Sequence, residues 1–359
     1  MAIHIADQTG TQKPHKKDPK KLEEYQVAQL PLPFVFPKPE KQYSNTVELY
    51  DAIPKYFWGR VSSSDRIGGR FLNTLAREFE FRNKGFSVKI TPARIEDKKG
   101  SEKDYYPGKR EELVEDALRK MACDGNGLFL DDQVGVIFSL NQLQNELKKM
   151  GHTYSITQIK NALLICQKTN IMLESADGNT TVSFQIFDTI GLRTWKDWLQ
   201  SGNKTKCFVR FNCLVTHSIK KGTFRQLNYK ECMTYKKNLA RWLHKRMSHL
   251  FTQASWKNPY SILLTTIIRD SGITRYKNLK DNLYQVRSVC SEMVQKHVLS
   301  NFKEEKRYSG RKIIDVKFVL KPGYSFIRDM VKANKRHGFG ISRVKNYSSD
   351  SHMPDYPQK

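Results

Sequence analysis

Residues 274–298 read TRYKNLKDNLYQVRSVCSEMVQKHV, and the fold turns on what kind of helix this stretch makes. At 3.6 residues per turn, Leu279, Leu283, Val286, Cys290 and Met293 fall on one stripe, which is a core face. The opposite face gathers Thr274, Lys277, Asp281, Tyr284 and Ser288, flanked by Asn278 and Gln285. A helix face that is merely solvated tends to repeat Glu and Lys at i,i+4 spacing. This one offers varied hydrogen-bonding groups, so it reads either as a contact surface or as an unusual solvated face.

The neighbouring segments narrow that choice. Upstream lie KCFVRFNC (206–213), a strand, then NYKECMTYKKNLARWLHKRMSHLF (228–251), which reads as one long helix with Leu239, Trp242, Leu243 and Leu250 inward. SILLTTIIRDSG follows as a short helix ending at Gly272. The quoted stretch is then the second helix, and VLSNFKEEKRYSGRKIIDVKFVL is a hairpin turning near Ser309-Gly310. Earlier in the chain the same order occurs. FSVKITPARI (86–95) alternates as a strand, and a helix spans 109–122 with Leu113, Ala117, Leu118 and Met121 inward. VGVIFSL is a strand, and LNQLQNELKKM a helix stopping at Gly151. Ser155-Ile156-Thr157-Gln158 has capping-box form and opens a second helix with Ile159, Leu163 and Cys166 inward. IMLESADGNTTVSFQIFD gives two strands around Asp177-Gly178-Asn179.

Helix, short turn, second helix and hairpin, met twice along the chain, point to an internal duplication. The expected fold is α+β: two tandem winged helix-turn-helix domains with a flexible basic N-terminal arm and a disordered C-terminal tail. The expected boundaries are 1–45 for the arm, 46–202 and 203–330 for the domains, and 331–359 for the tail. Prolines 31, 33, 37 and 39 in LPLPFVFPKPE mark the arm as extended. VELYDAIPKYFWG (47–59) carries too many aromatics for a linker. It either packs on the domain that follows or contacts another protein.

Composition sets the class of partner. The chain has 359 residues, 62 Lys and Arg against 36 Asp and Glu, and a formal net charge of +26. Such an excess favours a polyanion, with nucleic acid ahead of an anionic membrane. No apolar run approaches the roughly 20 residues of a spanning helix. The N-terminus lacks the apolar core of a secretory signal, so a cytoplasmic location is expected. Six cysteines form no CxxC pair, and no HxH or HExxH pattern appears among nine histidines, which leaves no expected metal site or cofactor. No GxxxxGK[ST] loop is present either, so a P-loop nucleotide hydrolase is set aside, and no catalytic residue is expected.

In helix-turn-helix proteins the second helix enters the major groove with its outer face on base edges. Asn and Gln can bond adenine, Lys can donate to guanine, and Asp can accept from cytosine. Candidate base readers are therefore Thr274, Lys277, Asn278, Asp281, Tyr284 and Gln285 in the second copy, and Thr157, Gln158, Lys160 and Asn161 in the first. Candidate phosphate contacts, which set register rather than sequence, are Lys168, Lys230, Lys237, Arg241, Lys245, Arg275, Arg311 and Lys312.

The segments FRQLNYKECMTYKKNLARWLHKRMSHL, YSILLTTIIRDSG and RYKNLKDNLYQVRSVCSEMV resemble the theta-type plasmid replication initiators of the TrfA and RepA group. The resemblance is clearest over 205–330 and looser over 85–200. It implies tandem winged helices that bind repeated origin sites in double-stranded DNA, melt an AT-rich segment, and recruit the host initiator and replicative helicase, with a homodimer as a further expected state. Two other classes compete. A winged-helix transcriptional repressor would share these features without a replication role. A tyrosine-dependent nicking enzyme would require paired histidines, and this chain has none.

Overall fold

The computed structural model describes residues 42–96, 99–130, 132–192 and 207–350. The chain enters through β1 (Tyr43–Val47), whose five residues are all buried. This strand pairs antiparallel with β14 (Phe224–Asn228), and Tyr43 Oη donates to Asp329 Oδ1 at 2.8 Å. The last residues of the expected arm are thus part of the folded body, while residues 1–41 lie outside the described residues. VELYDAIPKYFWG forms α1 (Glu48–Ala52) and a following segment. Tyr50, Ile53 and Tyr56 are buried, and Trp58 packs against both hydrophobic cores. Of the two readings of this stretch, packing on the body is what the structure contains.

A small hairpin, β2 (Arg66–Ile67) and β3 (Phe71–Leu72), precedes β4 (Leu75–Phe81) and β5 (Lys84–Thr91). The strand expected over 86–95 breaks at Pro92, which has no N–H for a ladder, and β6 (Ala93–Glu96) turns away to pair with β7 (Glu102–Tyr105). Next come α2 (Lys109–Met121), β8 (Gly127–Leu130), β9 (Gln133–Phe138), α3 (Leu140–Lys149) and α4 (Ile156–Lys168). Both α3 and α4 start in reciprocal capping boxes, Ser139 with Gln142 and Ser155 with Gln158. The hairpin around Asp177-Gly178-Asn179 is β10 (Asn170–Ser175) and β11 (Thr181–Gln185), and it extends a sheet of order β11-β10-β5-β4.

The strand expected to open the second copy is β13 (Cys207–Phe211). It pairs instead with β9 and with β12 (Phe187–Gly191), in a sheet of order β12-β13-β9-β8. The first core continues through α5 (Cys213–Lys221), β14 and α6 (Tyr229–Met233) as far as Met233. The expected 202/203 boundary itself lies outside the described residues.

The long helix expected over 228–251 is two helices, α6 and α7 (Asn238–Leu250). Between them Tyr235 turns into the core, where its hydroxyl meets His244 Nδ1 at 2.9 Å. The N–H groups of Lys236 and Lys237 donate to the Glu292 carboxylate at 2.6 and 3.3 Å. An anion at a helix start is favourable both as acceptor and against the helix dipole. The beginning of SILLTTIIRDSG is likewise not helical. Tyr260–Leu263 is strand β15, and α8 runs from Leu264 to Ser271, closed by Gly272 in the left-handed region at φ 68°. After α9 (Leu279–Gln295) come β16 (Leu299–Ser309) and β17 (Lys312–Pro322), forming a sheet of order β15-β17-β16. Gly310 turns the tip at φ 59°.

Residues past 331, expected as a disordered tail, continue a helix, α10 (Tyr324–Asp350). Its Phe326, Met330 and Ala333 are buried in the second core, a face that ends too soon to be read as periodicity. Residues 351–359 lie outside the described residues.

The two cores meet across ion pairs. Acidic residues of α2 face basic residues of α7: Lys245 Nζ lies 2.8 Å from Asp116 and 3.5 Å from Glu112, and Arg241 Nε lies 3.2 Å from Glu112. All four are buried, Arg241 completely. Beside them Asp51 forks onto Arg119 at 2.7 and 2.8 Å. A second seam joins β4 to α8: Arg269 meets Glu80 at 2.6 Å, and Glu80 N–H donates to Asp270 Oδ1 at 3.1 Å.

Candidate nucleic-acid interface

Helix α9 is shorter than the quoted stretch. It starts at Leu279 with Asn278 at the cap position, so Thr274, Arg275 and Lys277 lie in the loop that leads into it. Asn282 accounts for this. Its Oδ1 accepts from Tyr276 N–H at 2.9 Å, and its Nδ2 donates to the carbonyls of Tyr276 and Asn278 at 2.8 and 3.0 Å. Asn282 is buried, whereas Leu279, expected on the core stripe, is 36% exposed. Leu283, Val286, Cys290 and Met293 are buried as expected.

The N-terminal part of this unit is open to solvent. Thr274, Arg275, Lys277, Asn278, Asp281 and Tyr284 are exposed, Gln285 is half-buried, and Tyr284 shows 72% of its surface. Two of the polar groups are lightly engaged: Asn278 Nδ2 lies 3.3 Å from Asp281 Oδ2, and Gln285 Nε2 lies 3.4 Å from the Thr274 carbonyl. The C-terminal part is tied down instead. Arg287 forks onto Glu304 of β16 at 2.6 and 2.7 Å, and that carboxylate holds its guanidinium pKa above the usual value. Lys296 meets Glu231 at 3.3 Å. Fixing one end and leaving the other bare is the arrangement a groove-entering helix requires, because its N-terminal residues meet the bases. Lys280, exposed in the first turn, belongs to the same surface and was missed in the sequence, where it sits between chosen positions.

On α4, Thr157, Gln158 and Asn161 are exposed and Lys160 is half-buried. Gln158 Oε1 already accepts the Ser155 N–H at 2.8 Å. Its amide is therefore folded back onto the helix start. Lys168 is exposed at the far end, its Nζ 3.4 Å from the Arg94 carbonyl.

The phosphate candidates divide. Lys230, Lys237, Arg275, Arg311 and Lys312 are exposed, the last two at the tip of the β16–β17 hairpin. Arg241 and Lys245 are enclosed at the α2–α7 seam and cannot reach a phosphate. Burial works against the Lys245 charge, but Asp116 and Glu112 outweigh it and raise its pKa. Counting along a helix identified both as polar. It carried no information about the acidic helix more than a hundred residues earlier that covers them.

No protein-family model matches the chain, and no curated protein does. Solved structures similar to it include domains 2 and 3 of RctB, as a selenomethionine derivative, at TM-score 0.44 and 9% identity over 77% of this chain and 96% of that one. A second structure of RctB domains 2–3 gives TM-score 0.42 and 8% identity over 73% and 94%. The Pi initiator protein in complex with iteron DNA gives TM-score 0.41 and 13% identity over 66% and 98%. Among the described residues, no helix is long and apolar enough to cross a membrane.

Proposed function

We propose that this chain is a plasmid replication initiator, built from two winged helix-turn-helix units, that binds repeated origin sites in duplex DNA with α9 and α4 as its reading helices. The observation that carries the DNA-binding part is the bare N-terminal surface of α9. A preorganised loop and helix start present lysine, amide, carboxylate and phenol groups, while the rest of the helix is fixed to β16 and to α6. The net charge of +26 supplies attraction to the backbone. The initiator part rests on the resemblance of residues 224–294, as do melting of an AT-rich segment, recruitment of host initiator and helicase, and dimer formation. In this reading the protein works in the cytoplasm by binding alone, without catalysis. Purified protein should neither hydrolyse ATP nor nick supercoiled DNA.

Two experiments test it. In a salt titration, log affinity should fall linearly with log salt. With roughly 6–10 phosphates engaged, the loss between 50 and 200 mM is about 10³–10⁵-fold. A flat response would remove the DNA-binding reading. Supplying the protein in trans to a cloned origin should then permit plasmid replication. Specific binding without replication would leave a transcriptional repressor.

A further inference from the structure

A segment that precedes both reading helices in the chain carries its own cationic feature. Residues 66–72, RIGGRFL, form the β2–β3 hairpin, with Arg70 N–H on the Ile67 carbonyl at 3.1 Å. Gly68 and Gly69 both take positive φ, 56° and 74°. A tight turn with two such central residues is open essentially to glycine and leaves a tip without side chains. The base of the hairpin is fixed: Asn73 N–H donates to the Asp65 carbonyl at 2.6 Å, Tyr106 Oη to the Asn73 carbonyl at 2.7 Å, and Leu72 N–H to Asp104 at 3.0 Å. In its upper part the contacts are internal, with Arg66 Nη1 donating to the Arg70 carbonyl at 3.2 Å. Arg60, Arg66 and Arg70 are exposed, and none has an acidic partner among the described residues. Ile67 is 59% exposed between them. Asp65, the local acid, is occupied by the N–H of Ser62 at 2.6 Å.

Its position gives these groups a use. Ahead of the hairpin, a Cβ on Gly59 would lie 3.3 Å from Thr274 Oγ1 at the start of the α9 reading loop, and the nearby Phe57 ring lies 5.0 Å from Tyr106, which bonds the hairpin base. On the other side, Arg94 lies over the Phe71 ring at 3.7 Å, and the Arg94 carbonyl takes Lys168 at the end of α4. The hairpin therefore stands between the loop that opens α9 and the C-terminal end of α4. Two major-groove contacts on one face of a duplex lie one turn apart, about 34–36 Å. Midway between them a minor groove faces the protein.

We propose that the Arg66–Arg70 hairpin enters the minor groove between the two major-groove segments and favours an A·T-rich tract there. A narrow A·T minor groove concentrates negative potential and draws in arginine. The side-chain-free glycine tip allows close approach, and the exposed Ile67 gives an apolar contact to the groove floor. This inference rests on the duplex-binding reading above and adds a second recognition element to it.

Dimethyl sulfate footprinting separates the two, because it methylates guanine N7 in the major groove and adenine N3 in the minor groove. The full chain would first select its preferred site from random duplexes. We expect wild type to protect two blocks of guanine N7 one turn apart, with adenine N3 protected between them. The variant Arg66→Ala/Arg70→Ala, whose changes are on exposed side chains, should keep its circular dichroism spectrum and its N7 protection and lose N3 protection. Its affinity should fall about 10–100-fold, and distamycin should compete with wild type but not with the variant. N7 protection with the central adenines never protected, or still protected in the variant, would overturn the hairpin proposal while leaving the reading helices in place. No N7 protection at all would overturn both.

Discussion

Asn282 gives every hydrogen-bonding group of its side chain to the backbone of Tyr276 and Asn278, so the loop carrying Arg275 and Lys277 is held by a buried residue. Reader and holder should fail differently. Lys277→Ala removes one contact, and should cost about 1–3 kcal/mol on the preferred site and relax preference at one or two base pairs. Asn282→Ala frees the whole loop, so discrimination should weaken at several positions together, with about 1 kcal/mol lost from fold stability. Competition against a panel of singly substituted duplexes measures both. If the Lys277→Ala protein ranks that panel as wild type does, α9 does not read bases through this lysine. The candidate readers stood out in the sequence because their types were unusual for a solvated face. Asn282 was not, because stripe counting placed Leu279 in the core and passed over the asparagine. Whether an amide faces solvent or its own backbone depends on the turn before the helix, which periodicity does not describe.

At the scale of elements, α2 and α7 show how far a helical wheel reaches. The order of helices and hairpins was legible, since apolar spacing, Gly272 and the Ser155 capping box each mark local structure. The break between α6 and α7 was not, because it is made by Glu292 from a distant helix. Nor was the partner of the basic face of α7. Arg241 and Lys245 are buried against Glu112 and Asp116, which makes them structural. Removing one member of a buried pair leaves the other charge unmatched, at a cost of about 3–5 kcal/mol. Lys245→Ala should therefore lower the denaturant midpoint sharply while leaving the salt slope of DNA binding unchanged. Lys245→Met combined with Asp116→Leu should recover much of the loss, since an apolar pair of similar volume is often neutral or better. A reduced salt slope in Lys245→Ala, with stability intact, would return this lysine to the phosphate-contact group.

For the whole molecule, the same burial makes stability depend on pH well above the range where carboxylates titrate. His244 sits between Tyr235 and Phe326, and His249 Nε2 meets Thr46 Oγ1 of β1 at 2.9 Å. Both are buried, and burial holds both pKa values down to about 3. In the unfolded chain a histidine titrates near 6.5, roughly its free value. Between those limits the unfolded state binds protons that the folded state does not, so stability rises with pH across that window and is lost as pH falls below about 6.5. Each histidine contributes at most about 1.4 kcal/mol per pH unit. Asp51 acts in a different range. Burial works against its charge, but Arg119 overrides this and holds its pKa well below the usual value, so its contribution disappears only in stronger acid. Guanidinium melts at pH 7 and pH 5 isolate the histidine effect. The midpoint should drop at pH 5 in wild type, and should drop much less in His244→Gln/His249→Gln, whatever the stability of that variant at pH 7. Equal midpoints at the two pH values in wild type would mean that these rings reach solvent, and that the seam tying β1 to α7 opens in the folded state.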